Sequence, residues 1–100
     1  FKGCENLKTV RLEEGVAGVG TNAFLGCPEL ETIYISKTVE FFEANAFDGC
    51  ANLTSLYLPQ SLEYIDPNAF YGCNRLTMIV KEGSYAHQFC AENGRAHVVR

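Results

Sequence analysis

The apolar side chains of this chain return on a fixed schedule. Leu7, Val10, Leu12, Val16 and Val19 mark a first stretch, and Leu30, Ile33, Ile35, Val39 and Phe42 mark a second. Leu53, Leu56, Leu58, Leu62 and Ile65 mark a third, each set lying 23 residues after the last. Within a set, the alternation at Val10 and Leu12 is that of a strand with one buried face. The schedule predicts first strands over residues 7–12, 30–35 and 53–58, and second, shorter strands over 16–19, 39–42 and 62–65. The triplets Glu13-Glu14-Gly15, Ser36-Lys37-Thr38 and Pro59-Gln60-Ser61 predict the turns between them.

A second motif joins the sets. The segments FKGC, FLGC, FDGC and FYGC put Phe1, Phe24, Phe47 and Phe70 in one column and Cys4, Cys27, Cys50 and Cys73 in another. Gly3, Gly26, Gly49 and Gly72 lie between them, and Asn22-Ala23, Asn45-Ala46 and Asn68-Ala69 precede the later three. Self-similarity at a period of roughly 20–29 residues is the signature of a leucine-rich-type array. One copy has too few apolar side chains to offset the entropy of ordering its own backbone, so the copies must stack. The expected fold is mainly β: a leucine-rich-repeat-type, right-handed solenoid of 23-residue two-strand coils.

The copies fall at 1–23, 24–46, 47–69 and, incompletely, 70–83, within one domain over 1–100. In the fourth copy the 23-residue spacing puts Ile79 in the buried strand column and Lys81 where a hydrophobe should follow. Ser84 then predicts a helix N-cap and Asn93-Gly94 a helix stop, with Tyr85, Ala86, Phe89 and Cys90 sharing one face. A last strand over 96–99 completes a C-terminal cap over 84–100. Phe1 lies inside a motif with no matching cap before it. The reading therefore expects the C-terminal part of a longer array, with an uncapped N-terminal edge open to self-association.

The unit F-x-G-C-x-x-L-x-x-[VIL]-x-[LI], followed by V-x-x-[VFI] and N-A-F, resembles the BspA-like leucine-rich repeats of bacterial and protozoan surface proteins. The closing Gly83-Ser84-Tyr85-Ala86 and Ala91-Glu92-Asn93-Gly94 resemble the end cap of such arrays. In the standard leucine-rich repeat, Asn or Cys follows the L-x-L strand by two residues. Gly15, Thr38 and Ser61 stand there instead. The resemblance implies a cell-surface or secreted protein that attaches to protein ligands, with host extracellular-matrix and plasma proteins the ligand class.

Composition narrows the function further. The net charge of −4 is scattered and lacks the basic face of a nucleic-acid binder, and no apolar run is long enough to insert in a membrane. The cysteine column allows three readings: a reduced packing ladder, a disulfide between coils, or metal ligation. Of these the ladder is preferred, because every cysteine has two equal neighbours and no C-x-x-C pair exists. Asn22, Asn45 and Asn68 form a second structural ladder, expected to bond turn backbone in successive coils. Asn52-Leu53-Thr54 is a glycosylation sequon that recurs too often by chance to carry weight.

Catalysis finds little support. His87 and Cys90 sit one helical turn apart, but no orienting acid or oxyanion donor accompanies them, and His97 falls in the terminal strand. No cofactor is expected. The outward positions of the first strands are the better candidates: Thr9 and Arg11, Thr32 and Tyr34, Ser55 and Tyr57, with Glu13, Ser36 and Pro59 continuing the same face. Tyr34 and Tyr57 fall in one column and predict an exposed aromatic pair, suited either to ligand contact or to stabilising the sheet. Phe41 and Tyr64 predict a similar pair on the second strands. The expected function is a non-catalytic binding module; the alternative is a structural spacer or a targeting arm for another domain.

Overall fold

The structure, a computed structural model, describes residues 2–100, so the Phe1 position of the phenylalanine column lies outside the described residues. The chain runs β1 (Thr9–Leu12), β2 (Gly18–Val19), β3 (Thr32–Ile35), β4 (Phe41–Phe42), β5 (Ser55–Tyr57), β6 (Tyr64–Ile65), β7 (Thr77–Val80), α1 (Tyr85–Glu92) and β8 (His97–Val99). It is a solenoid of about four coils in which the odd and even strands up to β7 alternate as first and second strands. All ladders are parallel. The strands are shorter than their apolar columns, because Leu30 and Leu53 are buried just ahead of the ladders as part of the preceding turn.

The second strands form one continuous sheet, β2–β4–β6. The first strands do not: β1 pairs with β3, β5 with β7, β7 with β8, and no ladder joins β3 to β5. The array stays continuous there because the corners hydrogen-bond coil to coil. Phe24 N–H donates to Ala46 O at 2.8 Å, and Phe47 N–H donates to Ala69 O at 2.8 Å. Between these layers run columns of buried side chains, among them Leu30, Leu53 and Leu76, and Val39 and Leu62. The first coil is less enclosed, with Cys4, Leu7, Val10, Leu12 and Val16 only partly buried.

Phenylalanine supplies the corner of the core. Phe47 stacks on Phe24 at 5.5 Å and on Phe70 at 5.3 Å, with interplanar angles of 4° and 6°. Phe42 meets Phe47 and Phe70 edge-on at 5.2 and 5.7 Å. Offset stacks and edge contacts are the two favoured aromatic geometries, and the 23-residue spacing delivers both.

The fourth copy corrects the sequence expectation. Leu56 pairs with Met78 and Tyr57 with Ile79, an offset of 22 residues rather than 23. Met78 and Val80 are the buried residues and Ile79 is half-buried on the outer face. Val80, not Lys81, therefore occupies the column of Ile35 and Leu58, and exposed Lys81 begins the turn. One residue is missing between Leu76 and the strand, and in a period-2 element that single deletion inverts every side chain that follows.

The cap forms as expected. Ser84 Oγ accepts from His87 N–H at 3.1 Å, and Asn93 ends the helix with Nδ2 donating to Phe89 O at 2.9 Å. Ala86, Phe89 and Cys90 face the core. The Tyr85 hydroxyl accepts from Ile65 N–H at 3.1 Å, satisfying a donor on the free edge of the second-strand sheet. Strand β8 then adds to β7 and extends the other sheet. No helix among the described residues is long and apolar enough to cross a membrane.

Glycine is required where corners stack most tightly. Gly72 has φ of +82°, and a Cβ added there would sit 3.3 Å from Gly49 N. Gly72→Ala is expected to lower stability by roughly 1–3 kcal/mol through left-handed strain and backbone crowding. Gly3→Ala is the control for strain alone, since its φ is +71° and a Cβ there meets nothing within 4 Å. Urea unfolding of both variants checks this; equal losses would remove the crowding argument.

The asparagine column works differently from the expectation. Asn22 and Asn45 hold φ of 60° and 58°, a left-handed conformation that asparagine tolerates better than most residues. Asn45 Nδ2 donates to Asp48 Oδ2, three residues on in the same corner, at 2.8 Å. Asn68 is not left-handed; its N–H donates to Asp66 Oδ1 at 2.8 Å. Among the described residues no asparagine side chain of this column bonds a neighbouring coil.

Candidate functional site

The outer face of the first strands presents two rows. Thr9 pairs with Thr32, and Ser55 with Thr77, in a row of hydroxyls. Beside it runs Arg11 paired with Tyr34, then Tyr57 paired with Ile79, which pairs in turn with Val98. The side chains of Tyr34, Tyr57 and Val98 remain 49%, 52% and 44% exposed. These rows arise because alternate residues of a strand face opposite ways, so burying Val10, Ile33, Leu56 and Met78 turns their neighbours outward.

All six sequence candidates, Thr9, Arg11, Thr32, Tyr34, Ser55 and Tyr57, lie exposed on this face. The aromatic pair, however, does not form. Tyr34 and Tyr57 flank the break between β3 and β5, and their rings make no contact. Tyr34 instead lies under the Arg11 guanidinium, 4.4 Å from its ring centroid, while Arg11 Nε reaches Glu13 Oε1 at 3.0 Å. Tyr34 is thus held by a cation–π contact, and Tyr57 has no aromatic partner among the described residues.

Two expected outward positions are buried. Ser36 is 1% exposed, its Oγ bonded to Glu13 O at 3.1 Å and to Thr38 Oγ1 at 2.9 Å, and Pro59 is buried as well. The strands end at Ile35 and Tyr57, and the following residues turn inward, where alternation no longer applies. Conversely, Thr77, Ile79 and Val98 were missed. A spacing of 22 would have revealed Thr77 as the fourth member of the Thr9, Thr32, Ser55 column. Nothing local marks Val98, whose place depends on how β8 docks.

On the other sheet, Phe41 is half-buried with its ring over Gly18, and the exposed Tyr64 donates its hydroxyl to Asp66 Oδ2 at 3.0 Å. That hydrogen bond pushes the Tyr64 phenol above its ordinary pKa, with partial desolvation adding to it. Both aromatics are engaged in the sheet's own packing.

No cysteine is in a disulfide among the described residues; Cys27, Cys50, Cys73 and Cys90 are buried in the core and Cys4 is half-buried. Cys50 Sγ donates to Phe24 O at 3.3 Å and Cys73 Sγ to Phe47 O at 3.1 Å, so each thiol ties one coil to the preceding one. Burial pushes the Cys50 thiol up to about 12, and Cys73 and Cys90 up to about 11. A catalytic thiol needs the opposite shift. Cys90 Sγ points at Met78 Sδ, 3.5 Å away, while His87 Nδ1 accepts from Gly83 N–H, so the two form no nucleophile–base pair.

Residues 1–89 match the family described as the BspA type leucine rich repeat region (6 copies). Among solved structures, a leucine rich cell surface protein from Faecalibacterium prausnitzii A2-165 is similar, with 37% identity and a TM-score of 0.76. The similarity covers 80% of this chain and 21% of that one, so the chain corresponds to about a fifth of the longer protein. No curated protein matches the chain.

Proposed function

We propose, since the chain belongs to the BspA-type leucine-rich repeat family, that it is a non-catalytic module binding proteins through the outer face of its first strands. The observation that carries this reading is the row Arg11, Tyr34, Tyr57, Ile79 and Val98. An apolar and aromatic stripe flanked by hydroxyls has the composition of an interface core beside a polar rim. Tyr34 is shared with its Arg11 contact across β1 and β3, whereas the exposed Tyr57 ring has no aromatic or cationic partner among the described residues, which favours ligand recognition there. Leucine-rich repeats as a kind mediate protein–protein contact, and the cell-surface character of the Faecalibacterium protein supports a surface location here. Adhesion to host extracellular-matrix or plasma proteins is the specific role we infer.

The test is binding of the purified protein to immobilised matrix and plasma proteins by interferometry, with and without the double substitution Tyr34→Ala and Tyr57→Ala. Two central tyrosines at roughly 1–2 kcal/mol each should weaken binding by about 30- to 1000-fold. The melting temperature should stay within a few degrees, since both rings are half-exposed. Binding unchanged by the double variant would move the site off this face. No binding to any of the proteins would leave the spacer reading in its place.

A further inference from the structure

Where the last corner meets the cap, the surface opens into a cleft of about 540 Å³ lined by Pro67, Tyr71, Gly72, Asn74, Asn93 and Arg95. Pro67, Tyr71 and Gly72 come from the corner after β6, and Asn74 from the turn that follows. Asn93 is the C-cap of α1, and Arg95 lies in the link to β8. Because Asn93 and Arg95 belong to the cap, this lining differs from what the earlier corners carry. We propose that it binds a short acidic saccharide, one that carries a carboxylate beside hydroxyl groups. This site lies apart from the strand face and does not depend on the protein-binding reading.

Arg95 supplies the charge recognition. It is half-buried, with Nη2 donating to Phe70 O at 3.1 Å and at the long limit to Cys73 O at 3.5 Å. Its guanidinium carbon lies 5.9 Å from the Phe70 ring centroid. These contacts fix the fork but leave Nε and Nη1 unused, and no carboxylate pairs with Arg95 among the described residues. The cleft has no acidic lining residue. A guanidinium anchored through one nitrogen, with the others free, is organised for a carboxylate before the ligand arrives.

The other lining groups select for hydroxyls. Asn93 spends Nδ2 on Phe89 O and keeps Oδ1 as an acceptor, whereas the exposed Asn74 side chain has no hydrogen bond among the described residues and offers both donor and acceptor. Paired amide donors and acceptors match the donor–acceptor character of vicinal hydroxyls. The Tyr71 ring is 68% exposed, the most exposed large apolar side chain described, although its backbone is held by bonds to Asn68 O and from Gly49 N–H. An exposed aromatic plate beside amides suits the C–H face of a sugar ring. The volume lies within the usual range for small-ligand sites.

The experiment is an amide chemical-shift titration with 3′-sialyllactose, digalacturonate, lactose and acetate as four separate probes. At least one acidic sugar should shift the Tyr71, Asn74, Asn93 and Arg95 signals saturably, at least ten-fold more tightly than lactose or acetate. Tyr71→Ala and Asn74→Ala should each weaken that binding at least five-fold while the melting temperature holds. Arg95→Gln should abolish the preference for acidic over neutral sugar. The Tyr34→Ala, Tyr57→Ala double variant should bind the sugar as the parent does. No shift with either acidic sugar would overturn the proposal. So would equal binding of lactose or acetate, or affinity indifferent to Tyr71→Ala.

Discussion

Phe47→Ala is expected to destabilise the protein by roughly 3–5 kcal/mol, the cost of truncating a fully enclosed aromatic side chain. Phe47 is 0% exposed and touches three other rings: Phe24 and Phe70 above and below, and Phe42 at its edge. Repeat arrays take their stability largely from contacts between neighbouring coils, and this residue belongs to two of those interfaces at once. Thermal melting by circular dichroism should fall by on the order of 15–30 °C for a chain of this size. Tyr71→Ala is the useful comparison, since it lies one residue beyond Phe70 but projects into solvent; it should change stability by less than about 0.5 kcal/mol. A Phe47→Ala loss below about 1.5 kcal/mol would mean that the stack is ornamental and the aliphatic columns hold the coils.

Alkaline pH should unfold the protein steeply, through the thiols. The ordinary thiol value is 9.0, and burial raises Cys50 to about 12 and Cys73 and Cys90 to about 11 in the folded state. The folded state thus keeps its protons where the unfolded state loses them. Stability from these groups is intact below pH 9 and is lost as pH climbs towards the folded values. Each thiol contributes a slope on the order of 1.4 kcal/mol per pH unit in that window, so the three together give about 4. Urea midpoints measured from pH 7 to 11 should be flat at first and then fall. Replacing Cys73 by alanine should flatten the fall by about a third, after allowing for its own packing loss. A midpoint that stays level to pH 11 would show that the thiols are not shielded from solvent in the folded protein.

Much of this was legible in the residues. The period of 23, the buried columns, the phenylalanine and cysteine ladders and the capped helix all follow from local repetition and alternation. Ser84 and Asn93 announced the helix ends because capping depends on groups within a few residues. The candidate face was legible as well, since a strand that buries Ile33 and Leu56 must expose Tyr34 and Tyr57. What failed had a common cause. The fixed spacing was carried one coil too far, and the missing residue before β7 sent Ile79 outward and Val80 inward. The buried Ser36 and Pro59 failed for a related reason, as alternation stops where the strand does.

By itself the sequence determined the coil length and the identity of the core columns in the first three copies. Those properties are set by covalent geometry and by which side chains avoid water, and they recur through the first three copies. Only the tertiary structure decided which residues are neighbours across coils. It broke the first-strand sheet between β3 and β5, parted Tyr34 from Tyr57, and brought Val98 beside Ile79. It also set Arg95 against the corner that carries Tyr71, joining parts of the chain separated by β7 and α1. Register and docking of this kind depend on the balance of packing between elements, where a shift of one residue changes every contact while leaving the local pattern intact.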